Sequence, residues 1–254
     1  MALKNSNRIV SVVALSGMLI GSINANAADA QRSFSDIDNH WASSGILNAT
    51  VKGYVDGYED GSFKPERLVT RAEFFKMVST ALGVKGELTK GIPWYTEYVN
   101  NLKQSGILSD EILTHNIDEP IKRQEMAEIA SKAVNTGSKG TMLDAVKEGL
   151  ITGVENGKLD ESGTTTRAQA VTVIERILTK RSGGTLPVDT NALTVATMTN
   201  KGTNVEELLG LTPVELGGTV MVAQGVKVKL NQLIIVDPSK PESAFYNMFD
   251  VGKY

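Results

Sequence analysis

The feature that most constrains this chain is an internal repeat. The run Glu59-Asp60-Gly61-Ser62-Phe63-Lys64-Pro65-Glu66-Arg67-Leu68-Val69-Thr70-Arg71-Ala72-Glu73 recurs 96 positions later, without a gap, as Glu155 to Gln169. Arg71 thus returns as Arg167, Gly53 as Gly149 and Gly57 as Gly153. A weaker copy lies between them: Trp94 answers Trp41, and Ile121-Lys122-Arg123-Gln124-Glu125 answers Val69 to Glu73. Three units result, at 34–85, 90–137 and 138–183. Units too small to bury an apolar face alone must share one core with their neighbours.

Each copy reads as helix, glycine-punctuated loop, helix. Asp38 or Asn39 can cap a first helix running through Trp41, Ile46 and Ala49, with Gly53 at its end. The loop carries Gly57 and Asp60-Gly61, a turn signal. Thr70-x-x-Glu73 is a capping box, in which hydroxyl and carboxylate each satisfy a backbone N–H. Phe74, Met77, Val78 and Leu82 then form a core-facing stripe, and Phe74 and Phe75 are expected in the core. Thr166-x-x-Gln169, with Val173 and Ile177, repeats the design. The middle copy has Lys122 at the cap, which should weaken it by about 1 kcal/mol. The expected fold is mainly α: three helix-loop-helix units in a pseudo-threefold bundle.

The bundle would set the arginines at the helix starts beside clefts between copies. A helix start offers N–H groups and a partial positive charge, and a guanidinium adds a fork suited to carboxylate or phosphate. Arg71, Arg123 and Arg167 therefore predict an anionic ligand. Thr70 and Thr166 would hold the helix ends, with Glu73 and Gln169 completing the boxes, and Gly61 would shape the loop. Trp41 and Trp94 would offer either flat faces for a sugar ring or anchors in the core. His40 reads as a structural hydrogen-bonder.

Phe34-Ser35-Asp36, His40-Trp41-Ala42, Asp60 to Pro65 and Val69 to Glu73 together resemble S-layer homology (SLH) domains, and the likeness extends over about 34–183. The resemblance implies a three-copy spindle that attaches proteins to Gram-positive-type envelopes through secondary cell-wall polysaccharide, often bearing pyruvate ketals. It makes Arg71 and Arg167 the best partners of the ketal carboxylate, with Arg71 first. Arg123 stands in a degraded motif, and Gly137 replaces the third tryptophan, so those grooves should bind weakly.

Met1 to Arg8 is basic, Ile9 to Ile20 apolar, and Ala25-Asn26-Ala27 ends the segment as a secretory signal would. Residues 28–254 then carry a net charge of −5, since 1–27 hold two basic and no acidic residues. That balance argues against nucleic acid as a partner, and no later run has the length of a membrane helix. The chain has no Cys, which leaves no thiol nucleophile or zinc ribbon, and two distant His, which leave little for a His-based metal centre; no cofactor or metal is expected. The loop at Asp56 to Gly61 fails as a calcium loop, because Tyr58 and Arg67 stand where oxygen ligands are needed.

From Ser182-Gly183-Gly184 the repeat ends. Leu193 to Met198 and Thr219 to Val236 are rich in Val, Thr and Ile, with a turn at Gln224-Gly225 and a short helix over Val205 to Leu211. Residues 184–254 are thus expected to form a linker and a small β-rich unit in need of a partner protein or of packing against the bundle. The expected function is non-enzymatic attachment of a secreted protein at the cell wall or S-layer surface. The alternatives are a wall-targeted polysaccharide hydrolase and a lattice subunit.

Overall fold

The computed structural model describes residues 34–84, 86, 90–201, 203, 205, 209–210, 219–223, 226–229 and 233–235. The expected secretory signal and most of Val205 to Leu211 lie outside these residues. The fold is mainly helical: α1 Ser43–Val51, α2 Arg71–Ala81, α3 Thr96–Gln104, α4 Arg123–Val134, α5 Met142–Lys147, α6 Arg167–Arg181 and α7 Thr190–Lys201, followed by strands β1 Thr219–Ala223 and β2 Val226–Lys229. β1 and β2 pair antiparallel, with Thr219 opposite Lys229 and Ala223 opposite Val226; Gln224-Gly225, where the sequence signals a turn, lie outside the described residues.

The capping boxes form as the sequence implies. Thr70 Oγ1 accepts the N–H of Glu73 and a Glu73 carboxylate oxygen accepts the N–H of Thr70. Thr166 and Gln169 do the same for α6. In α4 only half a box exists, because Lys122 has no oxygen to give; Glu125 accepts the Lys122 N–H at 2.9 Å. α1 starts later than the sequence suggests, leaving Trp41 in the preceding turn. His40 explains this, since its Nδ1 accepts the Ala42 N–H and fixes a turn where a helix would otherwise begin.

The second helices supply the core, with Phe74, Phe75, Met126, Ile129, Val171 and Ile174 all at most 1% exposed. Between helices, three short strips close a ring. The Val69 N–H donates to Thr165 O, the Thr165 N–H to Ile121 O, and the Ile121 N–H to Val69 O, at 3.0, 3.1 and 3.0 Å. Isolated bridges of Leu68 with Thr166, Thr70 with Pro120 and Lys122 with Thr164 flank it. Each strip would leave its backbone polar groups orphaned in the core if alone, so the ring ties the copies into one unit.

The ring holds one mismatch. Thr165 stands where the other strips place Val69 and Ile121; it is 0% exposed, and its Oγ1 has no partner among the described residues. An unpaired buried hydroxyl costs about 1–3 kcal/mol. Thr165→Val is expected to stabilise the protein by about 1 kcal/mol, read as a higher urea midpoint with an unchanged m-value.

The C-terminal segment departs from expectation. Leu193 to Met198 lie in α7, not in a strand. Asp189 starts that helix, accepting the Ala192 N–H on Oδ1, while Oδ2 accepts the Gly153 N–H from the third loop. Ala192, Ala196 and Met198 are buried, and α7 packs on α5 and on the 3-10 turn Glu155–Gly157. The β-rich pattern was misleading because burial of small residues against α5 outweighs the modest strand preference of Val and Thr.

Candidate functional site

The helix starts do not keep their N–H groups open. Arg71 N–H donates to Glu119 O and Ala72 N–H to Ile117 O; Arg123 and Gln124 donate to Gly163 O and Glu161 O; Arg167 and Ala168 donate to Arg67 O and Pro65 O. The first two amides of each second helix thus grip the loop of another copy. The anion site expected at the bare helix ends is occupied by backbone carbonyls.

The arginine side chains follow the same rotation. Arg123 Nε and Nη2 donate to Leu159 O and Thr152 O, at 3.0 and 2.9 Å. Arg167 Nε and Nη2 donate to Phe63 O and Asp56 O, at 3.0 and 2.8 Å, with its guanidinium 4.4 Å above the Phe63 ring. Burial pulls the pKa of both guanidiniums down. Neither has a carboxylate within ion-pair distance among the described residues, and the Nη1 of each donates no hydrogen bond there.

Arg71 differs. Its Nε and Nη2 meet the Glu125 carboxylate at 2.9–3.1 Å and its Nη1 donates to Asn116 O, all with the arginine 2% exposed. His115 Nδ1 lies 2.8 Å from the same carboxylate. The residue that the resemblance ranks first is therefore already paired with an internal acid.

Two clefts form, built from equivalent parts. The α6 cleft, of about 190 Å³, is walled by loop 151–154 and by Gln169, Val173 and Arg176 of α6, with Arg123 from one neighbouring copy and Trp41 from the other. The α2 cleft, of about 350 Å³, is walled by loop 53–58 and by Glu73, Lys76 and Met77 of α2, with Arg167 from one copy and Trp94 from the other. Trp41 is 65% exposed and Trp94 42%, which removes the core-anchor reading for both. In the corresponding place beside α4, Gly137 offers no indole.

Of the remaining expected site residues, Glu73 and Gln169 line the clefts, whereas Thr70, Thr166 and Gly61 do not. Thr70 and Thr166 are engaged as caps and line neither cleft. Glu73 sits in the α2 cleft, bound to Arg67 at 2.8 Å. Gln169 sits in the α6 cleft, with its oxygen on the Thr166 N–H and its amide nitrogen unpartnered among the described residues. Gly61 lines neither; with φ +78°, it makes the turn whose carbonyl receives the Ser35 N–H.

The turn before Gly61 has a measurable signature. The Ser62 hydroxyl, the Lys64 ammonium and the Ser62 N–H bond the Asp60 carboxylate and hold its pKa down to about 2. The unfolded chain takes up that proton first, so the contribution is present above pH 3.8 and is lost as pH falls toward 2. A carboxyl NMR titration of Asp60 is expected to show a midpoint near 2, moving up toward 3.8 in Ser62→Ala.

Sequence reasoning missed Arg176, Lys76 and Tyr58 in these clefts, and the pairing role of Glu125. Arg176 was detectable, since it lies seven positions after Gln169 on the same face of α6.

Residues 33–75 match the family model of the S-layer homology domain. The chain is 26% identical over 187 residues to a cellulosome-anchoring protein of Acetivibrio thermocellus, covering 63% of this chain and 41% of that protein. It is 25% identical over 183 residues to an amylopullulanase of Thermoanaerobacterium thermosulfurigenes, covering 61% and 10%, and 27% identical over 159 residues to an S-layer protein of Bacillus thuringiensis subsp. finitimus, covering 58% and 19%. The chain spans less than half the length of each of these relatives.

Proposed function

We propose that this chain, which carries an S-layer homology domain at residues 33–75, attaches non-covalently to a bacterial envelope by holding a cell-wall polysaccharide in its α6 and α2 clefts. The observation that carries the reading is the presence, in each of two clefts, of an exposed tryptophan beside a guanidinium that has no carboxylate within ion-pair distance among the described residues. An indole face covers the apolar side of a sugar ring, and a guanidinium fork can donate to a sugar oxygen or to an acidic substituent. The ligand class is an anionic secondary wall polymer, with pyruvate ketals as the source of carboxylate.

The three copies act as one pseudo-threefold bundle because no copy owns a complete cleft. Each cleft takes its loop and helix from one copy, its tryptophan from a second and its arginine from a third. Sequence-distant parts held by a rigid core are thereby preorganised, and little entropy is lost on binding. The third arginine, taken by Glu125, holds the bundle together. The basic and apolar segment at 1–27 supports export, the chain catalyses no reaction, and the residues after α7 display or recruit a partner protein.

Co-sedimentation with purified walls tests this. Trp41→Ala and Trp94→Ala remove exposed side chains, so melting temperature should hardly change, yet each should weaken wall binding by about tenfold and the double variant should abolish it. Walls stripped of the secondary polymer should bind no protein. Undiminished binding by the double variant would end the proposal, and release of reducing ends from the walls would turn it toward an enzyme.

A further inference from the structure

The two clefts are alike in plan and unlike in charge. The α2 cleft sets the cations Arg167 and Lys76 beside the carboxylates Asp56 and Glu73. The α6 cleft has no acidic residue in its lining and two guanidiniums, Arg123 and Arg176. Both are fixed by carbonyls of one loop: Arg123 through Thr152 O and Leu159 O, and Arg176 through Leu150 O at 3.2 Å.

Two like charges share this cleft, half desolvated and with no carboxylate in its lining, and they oppose each other. Burial lowers the pKa of both arginines; at Arg123 the Asp160 carboxylate, which lies outside the cleft lining, opposes this, and the nearby Arg176 charge adds to it. Ordinary surface arginines relieve such a conflict by turning into water or by meeting a carboxylate. Here the loop carbonyls hold them in place, and the surrounding Met126, Ile151 and Val173 give no polar relief. A bound anion removes the conflict and receives hydrogen bonds from both forks, each charge-assisted.

We propose that the α6 cleft reads the acidic group of the glycan, a carboxylate or phosphate seated between Arg123 and Arg176, whereas the α2 cleft, with its own carboxylates, takes uncharged sugar. Arg176 is a ligand-binding residue on this assignment. The inference rests on the reading that the clefts hold an envelope glycan. It predicts that one protein grips the polymer at two chemically different units, the acid setting specificity and the neutral sugar adding reach.

The test uses the full chain in two backgrounds, Trp94→Ala, which leaves the α6 cleft, and Trp41→Ala, which leaves the α2 cleft. Wall binding is followed against salt, with untreated walls, walls amidated with carbodiimide to neutralise carboxylates, and walls freed of phosphate. The Trp94→Ala protein should bind in a salt-sensitive way and lose binding on one of the two treated walls, which identifies the acid. The Trp41→Ala protein should be nearly indifferent to salt and to both treatments. Arg176→Gln, which keeps an N–H for Leu150 O, should weaken the first background by about tenfold and leave the second unchanged. Arg176→Lys, which keeps the charge and loses the fork, should fall between and guards against a folding defect in the glutamine variant. Equal effects of Arg176→Gln in both backgrounds, or none in either, overturn the assignment. If the wild-type chain itself fails to sediment with walls, the glycan reading fails instead, and the two failures are distinct.

Discussion

Glu125→Ala is expected to destabilise the protein by about 3–5 kcal/mol, a large part of the roughly 5–15 kcal/mol that holds a typical domain together. The carboxylate is 6% exposed and receives Nε and Nη2 of Arg71, while accepting the Lys122 N–H and contacting His115. Its removal leaves a 2% exposed guanidinium whose remaining partners are Asn116 O and, at 3.5 Å, the exposed Glu119. The urea midpoint should fall accordingly. The double variant Arg71→Met with Glu125→Leu should recover most of the loss, since removing both charges also removes their desolvation cost. Glu73→Ala, at the equivalent position of α2, should cost only about 1 kcal/mol, because it breaks half a capping box and an exposed ion pair with Arg67. If the two single variants prove equally mild, Arg71 is not locked and is available to a ligand after all.

Local chemistry was legible in the sequence, and pairing across copies was not. Thr70 with Glu73 and Thr166 with Gln169 announce their helix starts because a capping box is complete within four residues. The stripe from Phe74 to Val78 announces a buried face for the same reason. Val69, Ile121 and Thr165, by contrast, sit in loops without strand periodicity, and each finds its backbone partners some 44 to 96 positions away, where no local rule reaches. The arginines were located correctly but their surroundings were not. A residue at the first position of a helix ordinarily faces solvent, and only the packing of another copy's loop onto that end buries it. The clefts were legible as a list of residue types that recur in register. That Arg123 belongs with Trp41 and Arg167 with Trp94 follows only from the rotation of parts among three copies.

The third copy packs against the continuation of the chain after α6. The Gly149 and Gly157 backbones lie against Leu186, Pro187 and Asn191 so closely that a Cβ at either glycine would meet them at 2.6–2.8 Å. Asp189 joins the start of α7 to Gly153, itself a wall of the α6 cleft. Ending the chain after Gly184 exposes the faces that Ala192, Ala196 and Met198 cover and orphans the Gly153 N–H. Full burial of one large aliphatic side chain contributes about 1.5–3 kcal/mol, so after the ordering entropy of the segment the net loss should be about 3–5 kcal/mol. Asp189→Ala alone should cost about 1–3 kcal/mol. Wall binding should suffer unevenly: in the Trp94→Ala background, Asp189→Ala should weaken binding through the α6 cleft, while in the Trp41→Ala background it should leave the α2 cleft untouched. A truncated chain that melts like the whole one would mean that the residues after Gly184 form a separable module. An early, broad melt would mean that the third copy is complete only at α7, and that any load borne by the C-terminal residues is transmitted through Asp189 to the loop that holds Arg123 and Arg176.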